Sequence, residues 1–324
     1  MPKYKITEVR LRNWISGGRG QGLGNDYKPW IQISRQDFPS CGNSSVFVNP
    51  FSGRQHHLLS DVERAVFLQN LIHPNVSDIR EQFPIWPWEH TAPLTELRSR
   101  LGQYSYPSPS IAAGSVDIAK RIGFKHAQYR GLDFPFIYTT DQLVTISWPG
   151  RPSTLLALAI KDYRTLKYGG ISRASKASAT KNKRRRMFQK LRLEKAYWEA
   201  QGVPWLLVTD RQISQTVTSN VEWALSGALR KPNENDLGAI KRLSWAWRQL
   251  PQGELCTSML EAAAQLIGER RTDTIRLFKL SLLLNALPVD LTHPIHLLRP
   301  IQALRGARDH FGPTWSFLSK QVTR

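Results

Sequence analysis

Two cysteines, Cys41 and Cys256, are all the thiols in 324 residues. They stand far apart and carry no metal-ligand spacing, so neither a disulfide scaffold nor a zinc site organises the chain, and a reducing compartment fits. Long apolar runs are missing too. The longest, residues 155–160 and 280–284, fall well short of the roughly 20 residues needed to cross a bilayer. The opening, MPKYKITEVR, lacks the apolar stretch of a signal peptide, and a cytoplasmic protein is expected. No internal repeat of fixed period occurs. Acid is scarce. Against 45 Lys and Arg stand 25 Asp and Glu, a net charge of +20, far more than solubility requires, which points to a polyanionic partner and first to nucleic acid.

What the chain does have is a core. Hydrophobic residues make up 41% of it, with 11 Trp, 12 Phe and 9 Tyr, so it is globular rather than disordered, and its length suits two domains. Residues 1–56 are rich in Gly, Ser, Asn and basic residues and read as an N-terminal arm, either a plain leader or a strap along a phosphate backbone. Residues 30–34 form a short strand-like run within it. Gly18, Gly20, Gly22 and Gly24 alternate with no strand before them and no helix after, which argues against a dinucleotide fingerprint. Residues 60–72 (SDVERAVFLQNLI) carry an apolar helical stripe, and Ser60 with Glu63 forms a capping box. Residues 76–85 read as a strand ending at Pro84. Residues 103–110 are a Tyr/Pro/Ser linker, and 115–123 a short helix ended by glycine.

The central feature is a β-hairpin over residues 136–161. Its first arm is rich in β-branched and aromatic residues, residues 148–152 (WPGRP) turn the chain, and the second arm is almost wholly apolar. With a period of two, Leu156, Leu158 and Ile160 share one face of that arm, and Leu155, Ala157, Ala159 and Lys161 the other. A lysine closing such a run is costly to bury without an anion, and Asp141 on the first arm supplies one. Residues 161–200 then hold 13 Lys or Arg against 3 Asp or Glu, half the net charge in 40 residues. Residues 169–180 of that stretch are Gly/Ser/Ala-rich and read as mobile. Residues 182–201 read as a helix with aromatic packing residues, suited to phosphate contacts. Residues 203–210 make a further buried strand. One α/β domain with a small mixed sheet accounts for residues 57–210. Beyond it, residues 211–324 are mostly helical (218–230, 234–250, 255–268, 272–285), followed by extended apolar pairs and prolines that resemble the wing of a winged-helix domain.

Glu63 at a helix start, Asp141 on a strand and Lys161 at the end of the next strand are matched groups. Two carboxylates can hold Mg²⁺, and a lysine can orient water and stabilise charge on a phosphate. Acid, long gap, acid, then lysine is the loose pattern of restriction-endonuclease-like nucleases. Asp78 and Glu81 are spare acids that could assist or be ordinary strand charges. His56, His57 and His126 read as loop or packing histidines. Five blocks in order, HHLLSDVERAVFLQ, NVSDIREQFPI, YTTDQLVT, AIKDYRTL and EKAYWEAQGVPWLLVTD, resemble the TnsA family, the endonuclease subunit of heteromeric bacterial transposases. The resemblance covers roughly residues 50–225. It implies a restriction-endonuclease-like core, Glu63, Asp141 and Lys161 as catalytic residues, and two Mg²⁺ ions, for which Mn²⁺ can substitute. It further implies 5′-end cleavage of transposon DNA beside a DDE transposase, TnsB, under an AAA+ regulator, TnsC, docked on the C-terminal domain. One departure stands out. The general pattern has an acid or amide two residues before the lysine, where this chain has Ala159; Glu63, with the Ile160 carbonyl as a further ligand, would have to substitute. A degenerate core would leave a DNA-binding adaptor without nuclease activity.

Overall fold

The computed structural model describes residues 6–33, 43–103, 111–168, 177–228, 230–251 and 253–322. Cys41 and the expectations for residues 104–110 and 169–176 fall outside them. The chain divides into two compact units. The first takes in the chain to Phe47, His56–Arg64 and Asn75–Asp210, and the second Val48–Gln55, Ala65–Pro74 and Arg211–Arg324.

In chain order the first unit begins with helix α1 (Glu8–Ser16), which Thr7 caps through its side chain. Strands β1 (Ser45–Val48) and β2 (Gln55–Leu58) pair as a small sheet. Helix α2 (Asp61–Leu71) follows, with Asp61–Arg64 in this unit and its residues from Ala65 in the second, then β3 (Val76–Ile85), β4 (His90–Thr91), α3 (Pro93–Arg100), β5 (Ile111–Ala112) and α4 (Ser115–Arg121). The central hairpin is β6 (Tyr138–Trp148) and β7 (Arg151–Lys161); α5 (Tyr163–Tyr168), α6 (Ala177–Glu199) and β8 (Trp205–Thr209) complete the unit. The main sheet has the order β3-β6-β7-β8. Its first three strands run antiparallel and β8 lies parallel to β7, the pairing that needs a long crossover such as α6.

The sheet is mixed and small, as expected, and the details differ for physical reasons. The hairpin turn is tighter than residues 148–152, because Trp148 still pairs with Arg151 and only Pro149 and Gly150 turn, the glycine at φ +70°. Strand β3 runs past Pro84 to Ile85. It is an edge strand, where a missing N–H costs no ladder bond. Residues 30–33 form no strand; Trp30 is instead buried. The arm over residues 6–33 is folded onto β3. Gly20 lies so close that a Cβ there would stand 2.2 Å from the Pro84 side chain. Leu11, Trp30, Trp86, Tyr129, Phe134 and Ile137 make one buried cluster. One face of the main sheet packs Leu143, Leu155 and Ala157 against Leu193, Tyr197 and Trp198 of α6.

The second unit contains α7 (Gln215–Leu225), α8 (Glu234–Gln249), α9 (Cys256–Ile267), α10 (Arg271–Leu283) and α11 (Pro313–Val322). Asn233 and Asp236 form a capping box that starts α8, and Gly268 in the left-handed region stops α9. Between α10 and α11 the described residues hold an isolated antiparallel bridge, Val289 with Ala303, and no strand; Pro300 of this segment bridges to Leu255 at the start of α9. No helix among the described residues is long and apolar enough to cross a membrane.

Candidate active site

The site forms where β6 and β7 part. Their pairing extends from the turn to Gln142 and Leu158. One residue further, the Asp141 side chain replaces a backbone acceptor: its Oδ2 takes the Ile160 N–H at 2.6 Å and the Lys161 ammonium at 2.5 Å. Asp141 is buried and Lys161 only partly so. Burial opposes the charge on Lys161, but Asp141, Glu194 and Glu63 outweigh it and hold the ammonium above its usual range.

Glu63 is both a cap and a member of this cluster. At the start of α2 its Oε1 accepts from the Ser60 hydroxyl at 3.2 Å, its N–H donates back to Ser60 Oγ, and its Oε2 accepts the Leu59 N–H at 3.0 Å. Gln142 anchors the same turn through the Glu63 carbonyl. Burial first, and the Asp141 charge second, push Glu63 up to about 7.

A fourth member, Glu194 on α6, was not anticipated. It is buried, and its Oε1 has no hydrogen-bond partner among the described residues. Burial and the Asp141 charge raise it to about 8, against the pull of Lys161. The signal for it lay in the helical period: Leu191, Glu194 and Trp198 fall on one stripe that is otherwise apolar. Ala159 is fully buried in an apolar cluster with Leu166 and Leu191, on the face of β7 that also carries Lys161. α6 therefore brings a carboxylate to the side of the strand where residue 159 offers none.

The remaining sequence candidates lie elsewhere. Asp78 accepts the Gly24 N–H at 2.9 Å and fastens the arm. Glu81 is fully buried, held by His56 Nδ1 at 2.9 Å and the His57 N–H at 3.2 Å. His57 accepts the Ile33 N–H through Nδ1, and burial lowers its pKa. His126 bonds the buried Ser115 hydroxyl and the Ala127 carbonyl. Of Ile160 the structure shows the N–H on Asp141. On its exposed side α6 carries Lys183, Arg184, Arg185, Arg186, Lys190 and Arg192. The Lys190 ammonium lies 5.6 Å from the Tyr138 ring centre, and burial, Lys161 and Arg186 lower its pKa.

Among the described residues no three His, Cys, Asp or Glu side chains close into a ready metal cage. The orphaned Glu194 oxygen and the two raised carboxyls nonetheless fit a cation. A hard ion that keeps several waters needs one or two carboxylates, and its charge would favour ionisation of Glu63 and Glu194.

A family model for the TnsA-like endonuclease N-terminal domain matches residues 73–210. The transposon Tn7 transposition protein TnsA of Escherichia coli is 34% identical over 221 residues, 68% of this chain and 64% of the relative. The chain belongs to the TnsA family. The matched domain contains β3, the hairpin, α6 and β8, and so holds Asp141, Lys161 and Glu194. Glu63 lies before it. The chain spans just under two thirds of the length of the Escherichia coli TnsA.

Proposed function

We propose that this chain is the Mg²⁺-dependent DNA endonuclease subunit of a heteromeric transposase, cutting the 5′ ends of a bacterial transposon by phosphodiester hydrolysis. The observation that carries the reading is Asp141, whose one oxygen binds both the Ile160 N–H and Lys161, flanked by two buried acids of raised pKa. Buried carboxylates clustered around one lysine are poor as a stability device, since each is costly to ionise, and are what hydrolysis of a phosphodiester uses.

Asp141, Glu63 and Glu194 would hold the metal, with the Ile160 carbonyl as a further oxygen, and one or two bound Mg²⁺ (or Mn²⁺) would supply an activated water and neutralise charge on the phosphate. Lys161 keeps its proton at Nζ and places positive charge where the scissile phosphate would lie. Asp141 holds that ammonium in place from the strand below. The basic face of α6 would track the double-stranded backbone, giving affinity without sequence reading. Sequence choice would then rest with partners: a DDE transposase, TnsB, and an AAA+ regulator, TnsC, docked on the helical second unit as a winged-helix-like module.

The test is strand-specific cleavage of transposon-end DNA by the full chain with transposase and regulator in Mg²⁺. Asp141→Ala should lose the 5′-strand nicks and keep the 3′ nicks. Identical products from variant and wild type would instead support the adaptor reading, which Ala159 favours.

A further inference from the structure

Residue Gln82 breaks a backbone rule deep inside the first unit. It sits within β3 at φ +49°, in the left-handed region that a non-glycine residue rarely enters and that clusters at functional sites. It is 1% exposed, so no solvent-facing turn accounts for it. The β3–β6 ladder passes from Glu81↔Gln142 to Phe83↔Thr140. Gln82 and Asp141, the residues between, are outside the pairing on both strands. The left-handed step turns the Gln82 carbonyl onto the Trp30 N–H of the arm, at 3.2 Å. The carboxamide donates from Nε2 to Glu63 Oε2 at 3.1 Å and accepts from the Thr139 hydroxyl at 3.0 Å. One side chain thus ties the helix that carries Glu63 to the strand that carries Asp141, two residues from the latter. The Tyr27 hydroxyl secures the neighbouring Glu81 carbonyl at 2.9 Å.

We propose that Gln82 is a positioning residue: its carboxamide fixes the Glu63 carboxylate relative to β6, and the folded arm holds it in the strained backbone that this reach requires. The proposal rests on the nuclease reading above. A regular strand residue at 82 would keep its carbonyl in line with the ladder. The arm's N–H at Trp30 gives that carbonyl a partner once it has left the ladder, so the buried acceptor stays satisfied. With Oε2 occupied by the Leu59 and Gln82 N–H groups, Oε1 carries, among the described residues, only the Ser60 hydroxyl and is the oxygen open to a cation. Outer partners of this kind govern metal affinity by about 10- to 100-fold.

The experiment uses the full chain with Ca²⁺ as a probe that binds oxygen ligands. Calorimetric Ca²⁺ titration, thermal melting and strand-specific nicking are compared for wild type, Gln82→Met, Gln82→Leu and, as control, Asp141→Ala. Gln82→Met keeps bulk without the amide; Gln82→Leu removes the amide and adds no charge. Both should weaken Ca²⁺ binding at least ~10-fold and lower 5′ nicking with it. Should Gln82→Met melt far below wild type, Gln82→Gly, which accepts the left-handed backbone without strain, replaces it under the same criteria. Wild-type Ca²⁺ affinity and nicking in these variants, with Asp141→Ala inert, would overturn the role of Gln82 alone. Wild-type nicking by Asp141→Ala would overturn the nuclease reading beneath it.

Discussion

Replacing Glu194 by glutamine should stabilise the metal-free protein at alkaline pH while abolishing cleavage. The folded-state carboxyl sits near 8 against an ordinary 4.5, so between those values the folded state binds a proton that the unfolded state has lost. Stability from this group is therefore present in acid and drains away as pH rises from 4.5 through 8. Integrated from about pH 5 to about pH 9, the linkage amounts to ~4 kcal/mol at most, or on the order of 10 °C in melting temperature for a unit of this size. Glu63, raised to about 7, acts in the same direction, whereas His73, which burial lowers to about 4, favours the folded state as pH rises through 6.5, so the Glu194 share is read from the difference between wild type and variant. Glu194→Gln removes one share of this dependence and leaves the Glu63 share. The assay is thermal melting in chelator across that pH range. Parallel melting curves for wild type and Glu194→Gln at every pH would refute the reasoning. Added Mg²⁺ should flatten the wild-type loss at high pH, because an ion favours the charged acids.

Two further outcomes follow from packing and charge. Trp198 is fully buried and its indole N–H donates to Thr140 at 2.7 Å; Trp198→Ala should cost about 3–5 kcal/mol in denaturant unfolding, and a loss under 1 kcal/mol would show that α6 does not depend on it. Changing Lys183, Arg184 and Arg185 together to alanine should lower the slope of log affinity against log salt for duplex DNA by up to about three, with 5′ nicking restored at high DNA concentration; an unchanged slope would place the phosphate contacts elsewhere.

The mixed sheet, and the meeting of Glu63, Asp141 and Lys161, were legible because each rests on local signals. A capping box marks the start of α2, and period-two alternation puts Lys161 and Ala159 on one face of β7. What the sequence hid depends on contacts distant in the chain. Glu194 reads as one more helical charge until α6 is laid across Lys161. Gln82 reads as an ordinary strand residue, since nothing local announces a left-handed backbone that is satisfied only by Trp30, 52 positions away. The alternating glycines of the arm pointed to no element, yet Gly20 at φ +76° lies against Pro84, a close approach that a side chain would block. Asp78 and Glu81 read as ordinary strand charges in the sequence, and it took the arm and β2 to show them as fasteners.

Among the described residues β8 pairs with β7 alone, and does so in parallel, and the acids and lysine of this cluster are drawn from residues 63 to 194, so we expect the cluster to assemble late in folding. Contacts of such sequence separation form slowly, after the local hairpin. During synthesis the hairpin with Asp141 and Lys161 would emerge first, with Glu194 still to come. On the nuclease reading, a chain interrupted before Glu194 would lack one of the acids proposed to hold the metal.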